Sequence, residues 1–125
     1  MKKRRIYIVD DDLSAQKGLT RLLAAAGHEA KAFSSFEEFL LIQAFDSNEC
    51  LIMDASMSEL SGIDLQAVFI HKNLNIRVII LSARDDNESR EKALAVNAVG
   101  FFRKPVDGSA LLDAIDWVLK STRIA

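Results

Sequence analysis

Aspartates follow two apolar segments of the chain at the points where buried strands would end. Residues 10–12 are all aspartate and follow the apolar segment 6–9, and Asp54 follows the apolar segment 50–53. Carboxylates brought together favour a hard divalent cation such as Mg²⁺, which takes oxygen ligands and commonly bridges carboxylates to a phosphoryl oxygen. A carboxylate can also act as the nucleophile that accepts a phosphoryl group. The pattern therefore indicates magnesium-dependent phosphoryl transfer.

Two further strand-like segments end in a hydroxyl and in cationic side chains. Residues 78–81 are followed by Ser82, and residues 98–102 are followed by Arg103 and Lys104. In open α/β sheets, ligands bind at the edge formed by the carboxyl ends of the strands. The carboxylates, the hydroxyl and the ammonium are therefore expected to gather there. Lys104 would pair with the added negative charge, and the hydroxyl of Ser82 would hydrogen-bond a phosphoryl oxygen.

The acidic residues have different expected roles. Asp54 stands alone after its strand and is the better candidate for the nucleophile, which would become an aspartyl phosphate. Asp10 and Asp11 are more useful as metal ligands, because carboxylates brought close together cannot all stay ionised cheaply without a counterion. Asp12 is expected to be a local cap rather than a ligand.

The elements that must position these residues alternate along the chain. Apolar segments predict strands at about residues 6–9, 50–53, 78–81 and 98–102, with a weaker strand at 29–33. Helix-like segments separate them. Strict alternation of five strands and five helices predicts an α/β fold with a parallel sheet and helices on both faces, because βαβ crossovers are right-handed.

Helix signals lie between the strands. Ser14 is expected to cap the start of the first helix, and Gly27 supplies the left-handed residue that ends it. Ser34 or Ser35 marks the start of the second helix. The last helix carries an inward apolar stripe, formed by Leu111, Leu112, Ile115, Val118 and Leu119. Trp117 lies off this stripe, and we interpret it as part of an interface.

Composition narrows the function classes. The 125 residues, half of them hydrophobic, fit one domain over residues 1–125, and the net charge of −2 with one short basic stretch argues against a nucleic-acid surface. No segment approaches the length of a membrane span, and the apolar segment after the basic residues is too short for a secretory signal, so a cytoplasmic location is expected. Cys50 is expected to be a buried thiol.

The chain resembles the receiver domain of two-component response regulators over essentially its whole length. Four motifs in register carry this resemblance: Val9-Asp10-Asp11-Asp12, Met53-Asp54, Ser82-Ala83 and Phe101-Phe102-Arg103-Lys104-Pro105. The pattern is most similar to receivers of the nitrogen-fixation regulator subgroup that carry a helix-turn-helix output domain. The chain is therefore interpreted as one receiver domain that is either free-standing or the N-terminal part of a longer regulator.

The resemblance implies a flavodoxin-like fold with strand order 2-1-3-4-5 and phosphorylation of Asp54 by a sensor histidine kinase or a phosphotransfer protein. It implies Mg²⁺ held by Asp11, Asp54 and the backbone carbonyl of Ser56, with Asp10 acting through water. It also implies a cis peptide bond between Lys104 and Pro105.

The resemblance further implies how the signal leaves the site. The hydroxyl of Ser82 would move toward the phosphoryl group, and the ring of Phe101 would follow. The fourth helix, residues 86–97, buries few apolar groups and is expected to be the moving part. Its face with the fifth strand and fifth helix would then control a transcriptional output, with a phosphorylation-dependent homodimer as one form.

Two alternatives from other classes stay open. Residues 10–14 also resemble the first motif of haloacid-dehalogenase-type phosphohydrolases, although no acidic pair follows Lys104 and the chain has no room for a substrate cap. The second alternative is a degenerate receiver that acts as a constitutive protein-binding module. The favoured interpretation is a phosphoacceptor domain and not an enzyme with a separate substrate, since its chemistry is limited to its own phosphorylation and dephosphorylation.

Overall fold

The computed structural model describes residues 5–42, 49–57 and 59–121. The strands are β1 (Arg5–Val9), β2 (Glu29–Phe33), β3 (Glu49–Asp54), β4 (Arg77–Ser82) and β5 (Gly100–Arg103). The helices are α1 (Leu13–Ala25), α2 (Phe36–Phe39), α3 (Gly62–His71), α4 (Asn87–Ala95) and α5 (Gly108–Ser121). A short 3₁₀ helix, Ala55–Met57, follows β3 directly.

The five strands form one parallel sheet in the order β2-β1-β3-β4-β5, which confirms the predicted α/β fold and strand order. The register brings the strand ends level with one another. Val9 lies opposite Met53, and Asp54 lies opposite Leu81. The residues that leave β1 and β3 therefore emerge side by side at the carboxyl edge of the sheet.

Both faces of the three central strands are buried. β3 has no exposed residue, and β1 and β4 are buried after their first residue, because helices cover a parallel sheet on both sides. One face packs against α2 and α3 through aromatic and aliphatic side chains, among them Phe36, Phe39, Leu65 and Phe69. The other face packs against α1 and α5, whose buried residues include Leu19, Leu23, Leu111, Ile115 and Leu119.

The start of α1 confirms the prediction that Asp12 is a local cap and shows that the prediction of Ser14 as the helix cap is wrong. Asp12, not Ser14, is the N-cap: its carboxylate accepts from the backbone N–H groups of Ser14 at 2.9 Å and Ala15 at 3.4 Å. The helix begins at Leu13, so Ser14 is already helical and its N–H is one of the donors that need a cap. Gly27, with φ of 88°, ends the helical region as predicted.

The predicted features of α2 and α5 agree with the structure, whereas the fourth helix, predicted over residues 86–97, is shorter and spans Asn87–Ala95. Ser35 caps α2 by accepting from the N–H of Glu38 at 3.1 Å. In α5 the predicted stripe faces the core, while Trp117 is 69% exposed. No helix within the described part of the chain is long and apolar enough to cross a membrane.

The fifth strand starts later than predicted. Residues 98–102 were expected to be extended, but Ala98 still donates its N–H to the carbonyl of Ala93 in α4, at 2.9 Å. Asn97 turns the chain with φ of 53°, a left-handed conformation that asparagine tolerates. The apolar character of Ala98 and Val99 therefore reflects the packing of the α4 exit as well as the strand.

Candidate functional site

Asp10, Asp54 and Lys104 meet at the carboxyl edge of the sheet. The Lys104 ammonium donates to Asp10 Oδ2 at 2.9 Å and to Asp54 Oδ2 at 2.6 Å. The carboxylates are buried, with side chains 2% and 10% exposed, whereas the Lys104 side chain is 26% exposed. One partly exposed cation therefore compensates two buried anions.

Backbone contacts fix Asp10. Its N–H donates to the carbonyl of Phe33 at 3.1 Å, which extends the pairing of β1 with β2 by one residue. Its Oδ1 accepts from the N–H of Asp12 at 2.9 Å. The side-chain amide of Gln16 in α1 donates to the Asp10 carbonyl at 2.5 Å. The acidic loop is thus held from the strand before it and from the helix after it.

Asp54 is the last residue of β3, and the 3₁₀ helix that follows folds back onto its side chain. Its Oδ1 accepts from the backbone N–H of Ser56 at 2.9 Å and from the Ser56 hydroxyl at 3.0 Å. Burial alone would raise the pKa of the Asp54 carboxyl, but the Lys104 ammonium and the Ser56 donors together hold that pKa below its usual value. Asp54 is therefore ionised at neutral pH, the form that a nucleophilic carboxylate requires.

Lys104 is positioned by the end of the sheet. Its backbone N–H donates to the carbonyl of Ser82 at 2.8 Å, and its peptide bond to Pro105 is cis. Burial would lower the pKa of the Lys104 ammonium, but Asp54 and Asp10 raise it above its usual value. The side chain is therefore a permanent cation at this site.

Two of the residues predicted for the magnesium site, Asp10 and Asp54, lie together in the structure. The oxygens of Asp10 and Asp54 converge on one ammonium, so two hard oxygen donors already lie close together, as a magnesium site requires. Asp11 is exposed. Across residues 5–42, 49–57 and 59–121, no group of three or more His, Cys, Asp or Glu side chains has the arrangement that would hold a metal ion. The donor chemistry fits Mg²⁺, and the assignment stays a prediction.

Ser82 lies at the same edge, but its hydroxyl is engaged by the segment that follows β4. It donates to the carbonyl of Arg84 at 2.5 Å and accepts from the N–H of Arg84 at 3.1 Å. The hydroxyl of Ser89 in α4 lies 3.0 Å from it. The ring of Phe101 in β5 is half-buried, with the Arg90 guanidinium 5.6 Å from its centre. Both predicted switch residues therefore contact α4.

A cavity of about 410 Å³ lies beside Asp54, between the 3₁₀ helix, the β4–α4 connection and α4. Its lining includes Asp54, Ser82, Ser89 and Lys92. The sequence interpretation missed Lys92, because it assigned no site residue to the fourth helix. The signal was present in the spacing of Ser89, Lys92 and Val96, which places all three on the inward side of one helix.

Comparison with known proteins identifies the family. The model of the response regulator receiver domain matches residues 6–116. The chain therefore belongs to the response regulator receiver domain family of two-component systems.

Two curated relatives and one solved structure illustrate the similarity of this chain to other members of the family. The response regulator protein TmoT of Ectopseudomonas mendocina is 37% identical over 115 residues, which cover 92% of this chain and 52% of that protein. Nodulation protein W of Bradyrhizobium diazoefficiens is 34% identical over 113 residues, covering 90% of this chain and 50% of that protein. The crystal structure of FixJ-N superposes with a TM-score of 0.80 at 28% identity and covers 96% of each chain. The chain spans about half the length of the curated relatives it matches.

Proposed function

We propose that this domain receives a phosphoryl group on Asp54 from a sensor histidine kinase or a phosphotransfer protein. The observation that carries the proposal is the Lys104 ammonium, which lies within 2.9 Å of Asp10 and 2.6 Å of Asp54 at the carboxyl edge of the sheet. A nucleophilic carboxylate, a second carboxylate suited to a cation and a fixed ammonium are the groups that phosphoryl transfer to an aspartate needs.

The transfer forms one bond to phosphorus and breaks one. An oxygen of the ionised Asp54 carboxylate attacks phosphorus, the bond from phosphorus to the donor histidine nitrogen breaks, and that nitrogen keeps the electron pair. Lys104 then pairs with a phosphoryl oxygen and compensates its charge. Mg²⁺, held by Asp11, Asp54 and the carbonyl of Ser56 with Asp10 through water, would supply charge neutralisation of the phosphoryl oxygens. The domain acts on its own Asp54 and not as an enzyme with a separate substrate.

The switch uses contacts that already exist between the site and α4. The Ser82 hydroxyl would leave Arg84 and Ser89 for the phosphoryl group, and the Phe101 ring would move into the space that it vacates. Loss of the Ser82 to Ser89 contact, 3.0 Å in this structure, would release the N-terminal turn of α4. The face formed by α4, β5 and α5 would change as a consequence.

This face would pass the signal to an output. Trp117 on α5 is 69% exposed, and large exposed aromatic residues are enriched at the cores of interfaces. We propose that the surface around Trp117 forms part of the interface of a phosphorylation-dependent homodimer. Relatives of this chain are described as transcriptional regulatory proteins, TdiR of Thauera aromatica and FixJ of Rhizobium meliloti among them, which supports transcription as the proposed output.

Intact mass after incubation with acetyl phosphate tests the proposal. Wild type with Mg²⁺ is expected to gain one phosphoryl group, whereas Asp54→Asn and the magnesium-free sample gain none. Asp113→Ala, which removes an exposed aspartate of α5, is the matched control and is expected to be phosphorylated like wild type. Absence of an adduct under every condition would favour the constitutive binding module. Many turnovers of phosphate release would favour the phosphohydrolase.

A further inference from the structure

The inward side of α4 is polar. Within α4 the two buried side chains are Ser89, 8% exposed, and Lys92, 5% exposed, and the first buried apolar residue, Val96, lies just past its end. Lysine is almost never fully buried unless its ammonium is paired, because the charged form loses hydration. A buried lysine in place of an apolar anchor therefore calls for a role in addition to packing.

The ammonium of Lys92 reaches the residue that follows the phosphoacceptor. Its Nζ donates to the Ala55 carbonyl at 2.9 Å, between groups 37 positions apart in the chain. The ion pair with Glu88 in the same helix is longer, 3.9 Å, and the Glu88 side chain is 79% exposed. The short contact of Lys92 thus ties α4 to the segment that carries Asp54, while the longer one stays at the surface.

Lys92 also lines the same cavity as Asp54. Lys92 is 5% exposed, so its charge is screened less than a charge on an open surface. Phosphorylation would add negative charge at Asp54, and the side chains of Lys92 and Ser89 line the same cavity. The added charge therefore attracts a group that belongs to α4.

We propose that Lys92 is a positioning residue that couples the charge on Asp54 to α4. In the unphosphorylated protein its ammonium holds the Ala55 carbonyl, and after phosphorylation it is drawn toward the phosphoryl group and repositions α4. This inference rests on the proposed phosphorylation of Asp54. It adds a second connection to the helix, independent of the hydroxyls of Ser82 and Ser89.

The NMR signals of the lysine ammonium groups in the folded wild type report directly on the proposed movement of Lys92. Beryllofluoride, which mimics a phosphoryl group, is added with Mg²⁺ while the ¹H–¹⁵N signals of the lysine ammonium groups are recorded. The Lys92 signal, assigned by its absence in Lys92→Arg, is expected to shift, and the signal of the exposed Lys72 is expected to stay in place. A Lys92 signal that does not respond, in a protein whose Lys104 signal does respond, would overturn the inference.

A variant series tests the effect on the helix. In wild type, beryllofluoride is expected to change hydrogen exchange at α4 amides. Lys92→Met should lose that change even if the removal of a buried charge stabilises the fold, and Lys92→Arg should retain it. Lys72→Met serves as the control for loss of a charge. The same change in Lys92→Met as in wild type would contradict the role of Lys92. Failure of wild type to take up a phosphoryl group from acetyl phosphate would instead contradict the proposed function, so the two failures are distinguishable.

Discussion

Replacing Lys104 with methionine removes the cation that two buried carboxylates share and keeps most of the apolar stem of the side chain. The two hydrogen bonds, of 2.9 and 2.6 Å, each involve two charged groups. Such bonds contribute about 1.5–3 kcal/mol each, so the pair contributes about 3–6 kcal/mol. The Lys104 side chain is 26% exposed, and water that enters the variant would solvate part of the freed charge. We therefore expect the free energy of unfolding at pH 7 to fall by about 2–3 kcal/mol.

The loss should depend on pH in one direction. Asp54 has a pKa below its unfolded value, so its contribution to stability is present above about pH 4 and is lost as pH falls through the lowered pKa. Without Lys104, burial acts on Asp54 with less opposition, and the ionised carboxylate becomes a cost at neutral pH. The difference between wild type and Lys104→Met should accordingly shrink as the medium is acidified. The pKa of Lys104 itself is raised above 10.5, so its titration changes the free energy of unfolding only at alkaline pH.

Urea unfolding at about pH 7 and about pH 3.5 provides the measurement. Lys17→Met, which removes an exposed lysine from the middle of α1, is the matched control and should change stability by less than about 0.5 kcal/mol. A Lys104→Met loss no larger than that of the control at neutral pH would refute the reasoning about charge compensation. A loss that is equally large at the acidic pH would refute the assignment of the effect to Asp54.

Three further predictions concern packing, reactivity and association. Gly62→Ala should lower the free energy of unfolding by about 1 kcal/mol, because the new Cβ would lie 3.0 Å from the Glu91 carbonyl oxygen. Gly18→Ala, where the new Cβ would have no atom within 4 Å, should raise it by about 0.5–1 kcal/mol. Urea unfolding measures both changes, and two changes of the same sign would contradict the role of the Glu91 contact. The thiol of Cys50, whose pKa burial raises to about 12, should react with a thiol reagent at pH 8 only as fast as the protein opens, and a rate like that in urea would be the contrary result. Trp117→Ala should weaken phosphorylation-dependent association in sedimentation experiments and leave phosphorylation intact, and unchanged association would remove this residue from the interface.

The carboxyl edge of the sheet could be predicted because two simple patterns coincide there. Apolar runs mark buried strands, and a charged or hydroxyl residue directly after each run marks the place where a strand leaves the core. Asp10, Asp54 and Lys104 meet for this reason, although 94 positions separate the first from the last. The weak strand Glu29–Phe33 was predicted with its observed bounds, since alternation demanded an element there.

The details that the sequence did not predict depend on contacts between distant segments. The sequence predicts a cap at both Ser14 and Asp12, and only the position at which α1 leaves the loop decides that Asp12 alone is the N-cap. The burial of Lys92 depends on the Ala55 carbonyl, which is supplied by another element 37 positions away. The sequence of the fourth helix offers few apolar groups to bury, and a tertiary hydrogen bond makes Lys92 part of the interior.

The polar attachment of α4 has a consequence for how a signal is read. Hydrogen bonds such as those of Lys92 and Ser89 weaken steeply once their geometry is lost, so intermediate placements of the helix have little to hold them. A partner that binds α4 then meets one of a few discrete surfaces. Under the proposed function, the strength of a stimulus would be expressed in how many molecules present each surface, and not in how far any single helix has moved.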